Sequence, residues 1–75
     1  MRELVEYIAK TIATQPEEVK VTEVAEEDRV VITLEVAPED KGKVIGRQGR
    51  VAQSMRILIR VAAIKKGTRA VLEIL

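Results

Sequence analysis

The spacing of apolar residues along the chain predicts six elements of secondary structure. From Arg2 to Thr14 the apolar side chains recur at helical spacing, which indicates an amphipathic helix. Gln15-Pro16 ends this helix, because the residue before a proline avoids the helical conformation. Two segments with alternating apolar residues follow, Val19–Val24 and Arg29–Ala37, and the short charged turn between them predicts an antiparallel hairpin.

The second half of the chain predicts two helices and a last strand. Pro38 suits the first position of a short helix that runs to about Ile45. A longer helix follows over Arg50–Lys66, and the alternation returns over Arg69–Leu75. The order α-β-β-α-α-β predicts a single α+β domain over residues 1–75, with a three-stranded sheet and helices on one of its faces.

The longer helix carries two apolar strips, and only one of them can face the sheet. We expect the core strip to contain Val51, Met55, Leu58 and Ala62, with Ile59 at its edge. The second strip consists of Ile57, Val61 and Ile64 and points more than a quarter-turn away. It either packs against the first helix or forms a candidate dimer interface across a two-fold axis.

Composition narrows the chemistry that the chain can carry. The 75 residues include no Cys, no His and a single aromatic residue, Tyr7. Disulfides, thiolate chemistry, the usual zinc and haem ligands and the commonest general base are therefore excluded. We expect no enzyme activity, no metal, no cofactor and no small-molecule substrate. The start at Met1 shows no signal peptide or membrane span, so we expect a cytoplasmic protein with no membrane contact.

Charge is divided sharply along the chain, although the net charge is only +1. Residues 1–40 contain eleven acidic and four basic residues, whereas Lys41 to Leu72 contains nine basic residues and no acid. A stretch of one sign is typical of a surface that binds nucleic acid. The alternative is that the two halves of the chain pair with each other in the fold.

Between the two predicted helices lies the stretch Lys43-Val44-Ile45-Gly46-Arg47-Gln48-Gly49-Arg50. Glycine tolerates positive φ, so Gly46 can end the first helix in the left-handed conformation while Gly49 begins the next. Free backbone N–H groups at a helix start bind anions, and Arg47 and Arg50 add guanidinium groups at the same place. The pattern predicts a phosphate-binding turn, or alternatively a plain helix–turn–helix corner with solvated arginines.

The element order and the sequence Val44-Ile45-Gly46-Arg47-Gln48-Gly49 together resemble a KH domain. The arrangement is similar to the bacterial type II form, and over the whole chain it resembles the small single-domain KH proteins of the KhpA type. One departure is Ala52, since a larger aliphatic residue is common three positions after the second glycine.

The resemblance implies binding of about four nucleotides of single-stranded RNA, with the G-x-x-G turn on the backbone. It assigns RNA contacts to the eight residues from Lys43 to Arg50 and a second groove wall to the strand around Ile32–Val36. It also implies a role as RNA chaperone or regulator, and a homodimer or a heterodimer with another KH protein. From the residues alone, a single-stranded DNA binder and a protein-interaction adaptor with a purely structural turn stay open as alternatives.

Overall fold

The computed structural model describes all residues from Met1 to Leu75 and confirms the predicted α+β element order. Its regular elements are α1 (Arg2–Ile12), β1 (Lys20–Ala25), β2 (Val30–Glu35), α2 (Lys41–Ile45), α3 (Arg50–Lys65) and β3 (Ala70–Ile74). Single 3-10 turns precede β1, α2 and α3, at Pro16–Glu18, Pro38–Asp40 and Arg47–Gly49. None of the helices has the length and apolar character needed to cross a membrane.

The sheet is mixed, in the order β1-β2-β3. β1 and β2 form the predicted antiparallel hairpin, with Val21 opposite Leu34. β3 returns parallel to β2, with Leu72 opposite Ile32. Because β2 lies between two partners, both of its edges are hydrogen-bonded, and the outer edge of β3 is left unpaired.

The core lies between one face of the sheet and the three helices, as the α+β prediction requires. The alternating positions of β2, Ile32 and Leu34, are fully buried, and so are Val5 and Ala9 of α1. α1 packs mainly on β1, whereas α3 packs on β3 and α2. This division of the sheet leaves α1 and α3 with little mutual contact, so each helix keeps an exposed face.

The predicted core face of α3 is wrong by about one residue. Its buried side chains are those of Ala52, Met55, Ile59 and Ala63. Leu58 is exposed instead of buried, while Val51 and Ala62 are half-buried. Alanines at the buried positions let the helix backbone approach the sheet closely, and the larger residues lie at the sides of this face.

Candidate nucleic-acid interface

The glycine turn between α2 and α3 is held by three residues with positive φ. Gly46 has φ 83° and ψ 168°, which is outside the left-handed helical region expected from the sequence. Gln48 (φ 58°) and Gly49 (φ 72°) both lie in the left-handed region. The sequence predicted a special conformation for the two glycines only, so Gln48 is an additional strained position at the tip of the turn.

Gly46 is also required because the turn passes very close to the start of α3. A Cβ atom placed on Gly46 would lie 2.5 Å from Cγ2 of Val51 and 2.9 Å from its backbone nitrogen. A Cβ atom on Gly49 would meet nothing within 4 Å. Gly46 therefore satisfies both a backbone conformation and a packing contact, whereas Gly49 satisfies only the conformation.

The turn exposes backbone donors at its tip. The N–H of Gly46 donates to the carbonyl of Gly42 (2.9 Å), and that of Gly49 donates to the carbonyl of Gly46 (3.0 Å). The N–H groups of Arg47 and Gln48 donate to no backbone carbonyl in this region. Both residues are exposed, so two adjacent backbone donors face solvent between the glycines, in the arrangement that binds anions.

Basic side chains surround these donors. Lys43, Arg47 and Arg50 are all exposed, and none of them forms an ion pair. Arg50 donates from Nη2 to Oε1 of Gln48 (3.2 Å), which directs its guanidinium group toward the tip. The structure thus brings together the polar residues that the sequence assigned to the site.

The apolar residues of the predicted site divide into two groups. Val44 is completely buried, so its side chain supports the turn from the core instead of lining a groove. Ile45 is 39% exposed beside the turn and remains available to a ligand. The predicted second wall, around Ile32–Val36, is wrong, because Ile32 and Leu34 of the central strand have no exposed surface. The strand that flanks α3 is β3.

Asp40 anchors the start of α2, a role that sequence analysis missed. Its carboxylate is fully buried and accepts hydrogen bonds from Thr14 Oγ1 (2.7 Å), Thr14 N (3.1 Å) and Gln15 N (3.0 Å). The Thr14 hydroxyl, then the Thr14 amide, lower the pKa of Asp40; burial opposes them, and Gln15 and Lys43 lower it further. The short helix α2 is therefore fixed by Asp40 before its first residue and by Val44 near its end.

The basic stretch of the chain is not neutralised inside the fold. The three ion pairs of the structure involve the N-terminal amine, Lys10 and Arg29, all in the first half of the chain. None of the nine basic residues between Lys41 and Leu72 has a carboxylate within 4.0 Å. This result contradicts the alternative in which the two halves of the chain neutralise each other.

The second apolar strip of α3 lies at the surface. Ile57, Val61 and Ile64 are 48%, 50% and 68% exposed, and Leu58 next to them is 46% exposed. The alternative in which this strip packs against α1, through Leu4, Ile8 or Ile12, is therefore wrong. We call these four residues the α3 apolar patch.

Known proteins resemble this chain over its full length, including the glycine turn. Residues 2–74 match the family model described as KhpA/KhpB, KH domain. The chain is 49% identical over 75 residues to "RNA-binding protein KhpA" of Clostridium perfringens, with both chains covered completely. It is 44% identical to the protein of the same name from Aquifex aeolicus, covering all of this chain and 95% of that one. No solved structure matches.

Proposed function

Because this chain belongs to the KhpA/KhpB KH-domain family, we propose that it is a non-catalytic RNA-binding protein that holds single-stranded RNA at the G-x-x-G turn. Relatives that match over the full length carry the name RNA-binding protein. The observation that carries the proposal is the pair of solvent-facing, unpartnered N–H groups of Arg47 and Gln48 between two glycines. Their spacing suits the oxygens of a phosphate.

In the proposed complex the turn holds the RNA backbone and leaves the bases free. The amides of Arg47 and Gln48 donate to one phosphate, while the side chains of Lys43, Arg47 and Arg50 supply positive charge to its neighbours. Ile45 offers a small apolar contact to a base. Since the chain has one aromatic residue, stacking on aromatic rings contributes little, and affinity depends mainly on backbone electrostatics.

This mode of binding favours low sequence selectivity, which suits an RNA chaperone or a general post-transcriptional regulator in the cytoplasm. A protein that holds phosphates and reads few base edges can act on many transcripts. The hydrogen bonds that discriminate RNA from DNA would have to involve the 2′-hydroxyl group.

Fluorescence anisotropy with labelled RNA and DNA homopolymers of ten nucleotides tests the proposal. We expect measurable binding of RNA and weaker binding of DNA of the same base. Equal binding of both would make the chain a general single-stranded nucleic-acid binder. Absence of binding to either would contradict the proposal and favour the adaptor alternative, in which the turn is structural.

The α3 apolar patch supports a second proposal, that two copies of the chain, or this chain and another KH protein, associate through α3. Four large apolar side chains exposed on consecutive turns of one helix are unusual for a monomer. In a symmetric dimer the patch meets its own copy, which removes both surfaces from water. The patch does not include the G-x-x-G turn, so each protomer would keep its RNA site.

A further inference from the structure

The exposed side of α3 repeats with the spacing of a two-stranded coiled coil. Four exposed residues follow one another at intervals of three, four and three positions and form one seam along the helix: Ser54, Ile57, Val61 and Ile64. The seam points away from the sheet, because Met55 and Ile59 on the opposite side of α3 are fully buried. A second helix with the same spacing completes such a seam, and the α3 helix of a second copy of the chain supplies it.

The residues beside the seam favour an antiparallel pair of α3 helices. Arg60 lies on one flank of the seam, whereas Leu58 and Lys65 lie on the other, and all three are exposed. In a parallel pair opposite flanks meet, so Arg60 of each copy would face Lys65 of the other, and this like-charge contact would occur twice. In an antiparallel pair equal flanks meet. The two Leu58 side chains then cover each other, and only the two long Arg60 side chains have to diverge into solvent.

An antiparallel pair places the two G-x-x-G turns at opposite ends of the dimer. The seam is centred at Ile59, midway between Ile57 and Val61, and α3 begins nine residues earlier, at Arg50. Each start of α3 is therefore about 13 Å from the two-fold axis, and the two starts are about 27 Å apart along the helices. The turns lie just beyond these starts, so the dimer carries two separate phosphate-binding turns.

The symmetry of this pair also fixes the relative direction of two bound RNA segments. The two-fold axis is perpendicular to the plane that contains the two α3 helices. A rotation about this axis keeps each site on its own side of the plane and reverses every direction within the plane. Two RNA segments, one at each turn, therefore lie on the same side of the dimer and run in opposite directions.

We infer that two copies of this chain form a bivalent RNA-binding unit, which holds two single-stranded segments in opposite directions. The inference rests on the proposed RNA binding and on the proposed association through α3. It adds a class of substrate: an RNA chain that doubles back between two bound segments. The RNA between the segments meets no carboxylate of α3, because no acidic residue occurs between Lys41 and Leu72. Binding of the second segment becomes intramolecular, which raises the overall affinity without any new contact.

The test measures, by fluorescence anisotropy, the binding of RNAs that carry two segments of about four nucleotides. Polyethylene glycol spacers of increasing length join the segments through 3′–5′, 3′–3′ or 5′–5′ linkages. We expect two linked segments to bind about 100-fold more tightly than one segment once the spacer can span both turns. One of the two inverted linkages should reach this gain with a shorter spacer than the 3′–5′ linkage, because a 3′–5′ chain has to turn back.

Variants of the seam separate association from RNA binding. Val61→Asp and Val61→Lys both place a charge in the seam, and a loss that they share follows from dissociation and not from the sign of the charge. Both should bind one segment and lose the gain from the second. The matched control Thr11→Asp adds a charge to the exposed face of α1 and should keep this gain. Light scattering and circular dichroism report the oligomeric state and the fold of each protein.

Three outcomes overturn the inference. If the wild-type chain binds two linked segments no more tightly than one at any spacer length, the dimer is not bivalent. If the monomeric Val61 variants keep the full gain, both segments bind to a single protomer. If the 3′–5′ linkage needs the shortest spacer, the bound segments run in the same direction and the α3 helices do not pair antiparallel. A wild-type chain that binds neither one segment nor two contradicts the proposed function itself.

Discussion

A methyl group added at Gly46 would collide with Val51, whereas one added at Gly42 or Gly49 would meet nothing within 4 Å. A position can require glycine because its φ is positive or because a neighbouring atom leaves no space for a Cβ atom, and the three glycines of this region differ in these two requirements. Gly42 lies inside α2 with ordinary helical φ, Gly49 needs positive φ, and Gly46 needs positive φ together with space. At the scale of single residues, the shape of the turn depends on this last position most.

Alanine substitutions at the three glycines should therefore change the free energy of unfolding by different amounts and in different directions. We expect Gly46→Ala to lower the free energy of unfolding by roughly 2 kcal/mol or more, because it adds a steric overlap to backbone strain. Gly49→Ala should cost about 1–2 kcal/mol through conformation alone. Gly42→Ala should stabilise by about 0.5–1 kcal/mol. Urea denaturation measures all three, and equal effects at Gly46 and Gly49 would contradict the close contact with Val51.

Asp40 gives a prediction about pH. Its folded-state pKa is lowered by hydrogen bonds from Thr14 and Gln15, so its stabilising contribution is present above the ordinary aspartate pKa of about 3.9 and is lost as the pH falls through the folded value. In the variant Asp40→Asn, the side-chain NH2 group would face one of the groups that donate to Asp40, so two donors would meet and a hydrogen bond would be lost. We expect this variant to be less stable at pH 7 and to lose less stability than the wild-type chain on acidification.

Glu39→Gln is the matched control for Asp40, because Glu39 is an exposed neighbouring carboxylate without a hydrogen bond to its side chain. Urea midpoints measured between pH 3 and pH 7 compare the three proteins. Parallel curves for the wild-type chain and Asp40→Asn would show that Asp40 does not anchor α2.

At the scale of elements, the sequence predicted the kinds and order of helices and strands but misassigned the face of α3. Period-two alternation identified β2 because its buried positions, Ile32 and Leu34, are large and regular. α3 carries two apolar strips, and their spacing does not show which one faces the sheet. The sequence analysis placed the large Leu58 in the core, but Leu58 is exposed and the small Ala63 is buried. Alanine is small and only weakly hydrophobic, so the spacing of apolar residues does not identify it as a core residue. Its burial follows from the close approach of α3 to the sheet.

Tertiary contacts account for the other elements of the site that sequence analysis missed. The positive φ of Gln48 follows from the closure of the turn, and the burial of Val44 follows from the packing of α2. Asp40 binds residues twenty-five and twenty-six positions earlier in the chain, which no local pattern shows. By contrast, the exposed positions of Arg47 and Arg50 could be predicted from the sequence, because they depend only on the short turn that the two glycines form.

The exposed face of α3 yields a prediction about self-association. Val61→Asp should give a folded monomer, because the side chain is half-exposed and surface substitutions change stability little. The matched control is Ile59→Asp, two residues away, which places a charge in the core and should unfold the chain. Light scattering reports the oligomeric state, and circular dichroism reports the fold.

A wild-type chain that is monomeric at high concentration would contradict association through α3. A Val61→Asp protein that stays a folded dimer would exclude the α3 apolar patch as the interface. An unfolded Val61→Asp protein would contradict the exposed position of Val61 itself.

At the scale of the whole molecule, the fold keeps the charge asymmetry of the sequence, since the ion pairs of the structure all lie in its first half. A surface of uncompensated positive charge attracts nucleic acid over a distance set by salt screening. If three or four phosphates are contacted, log affinity for single-stranded RNA should fall with log salt at a slope of roughly −2 to −3. A slope near zero in a salt titration would contradict an electrostatic mode of binding.

The most direct measurement of the central claim is RNA binding by the double variant Arg47→Asp, Gln48→Asp. Asp is among the residues that tolerate the left-handed conformation required at position 48, so the turn and the fold should persist. The variant Lys10→Asp, Thr11→Asp makes the same change in charge at exposed positions of α1 and serves as the control. We expect RNA binding to be abolished in the first variant and retained in the second. A folded Arg47→Asp, Gln48→Asp protein with unchanged RNA affinity would contradict binding of RNA by the G-x-x-G turn.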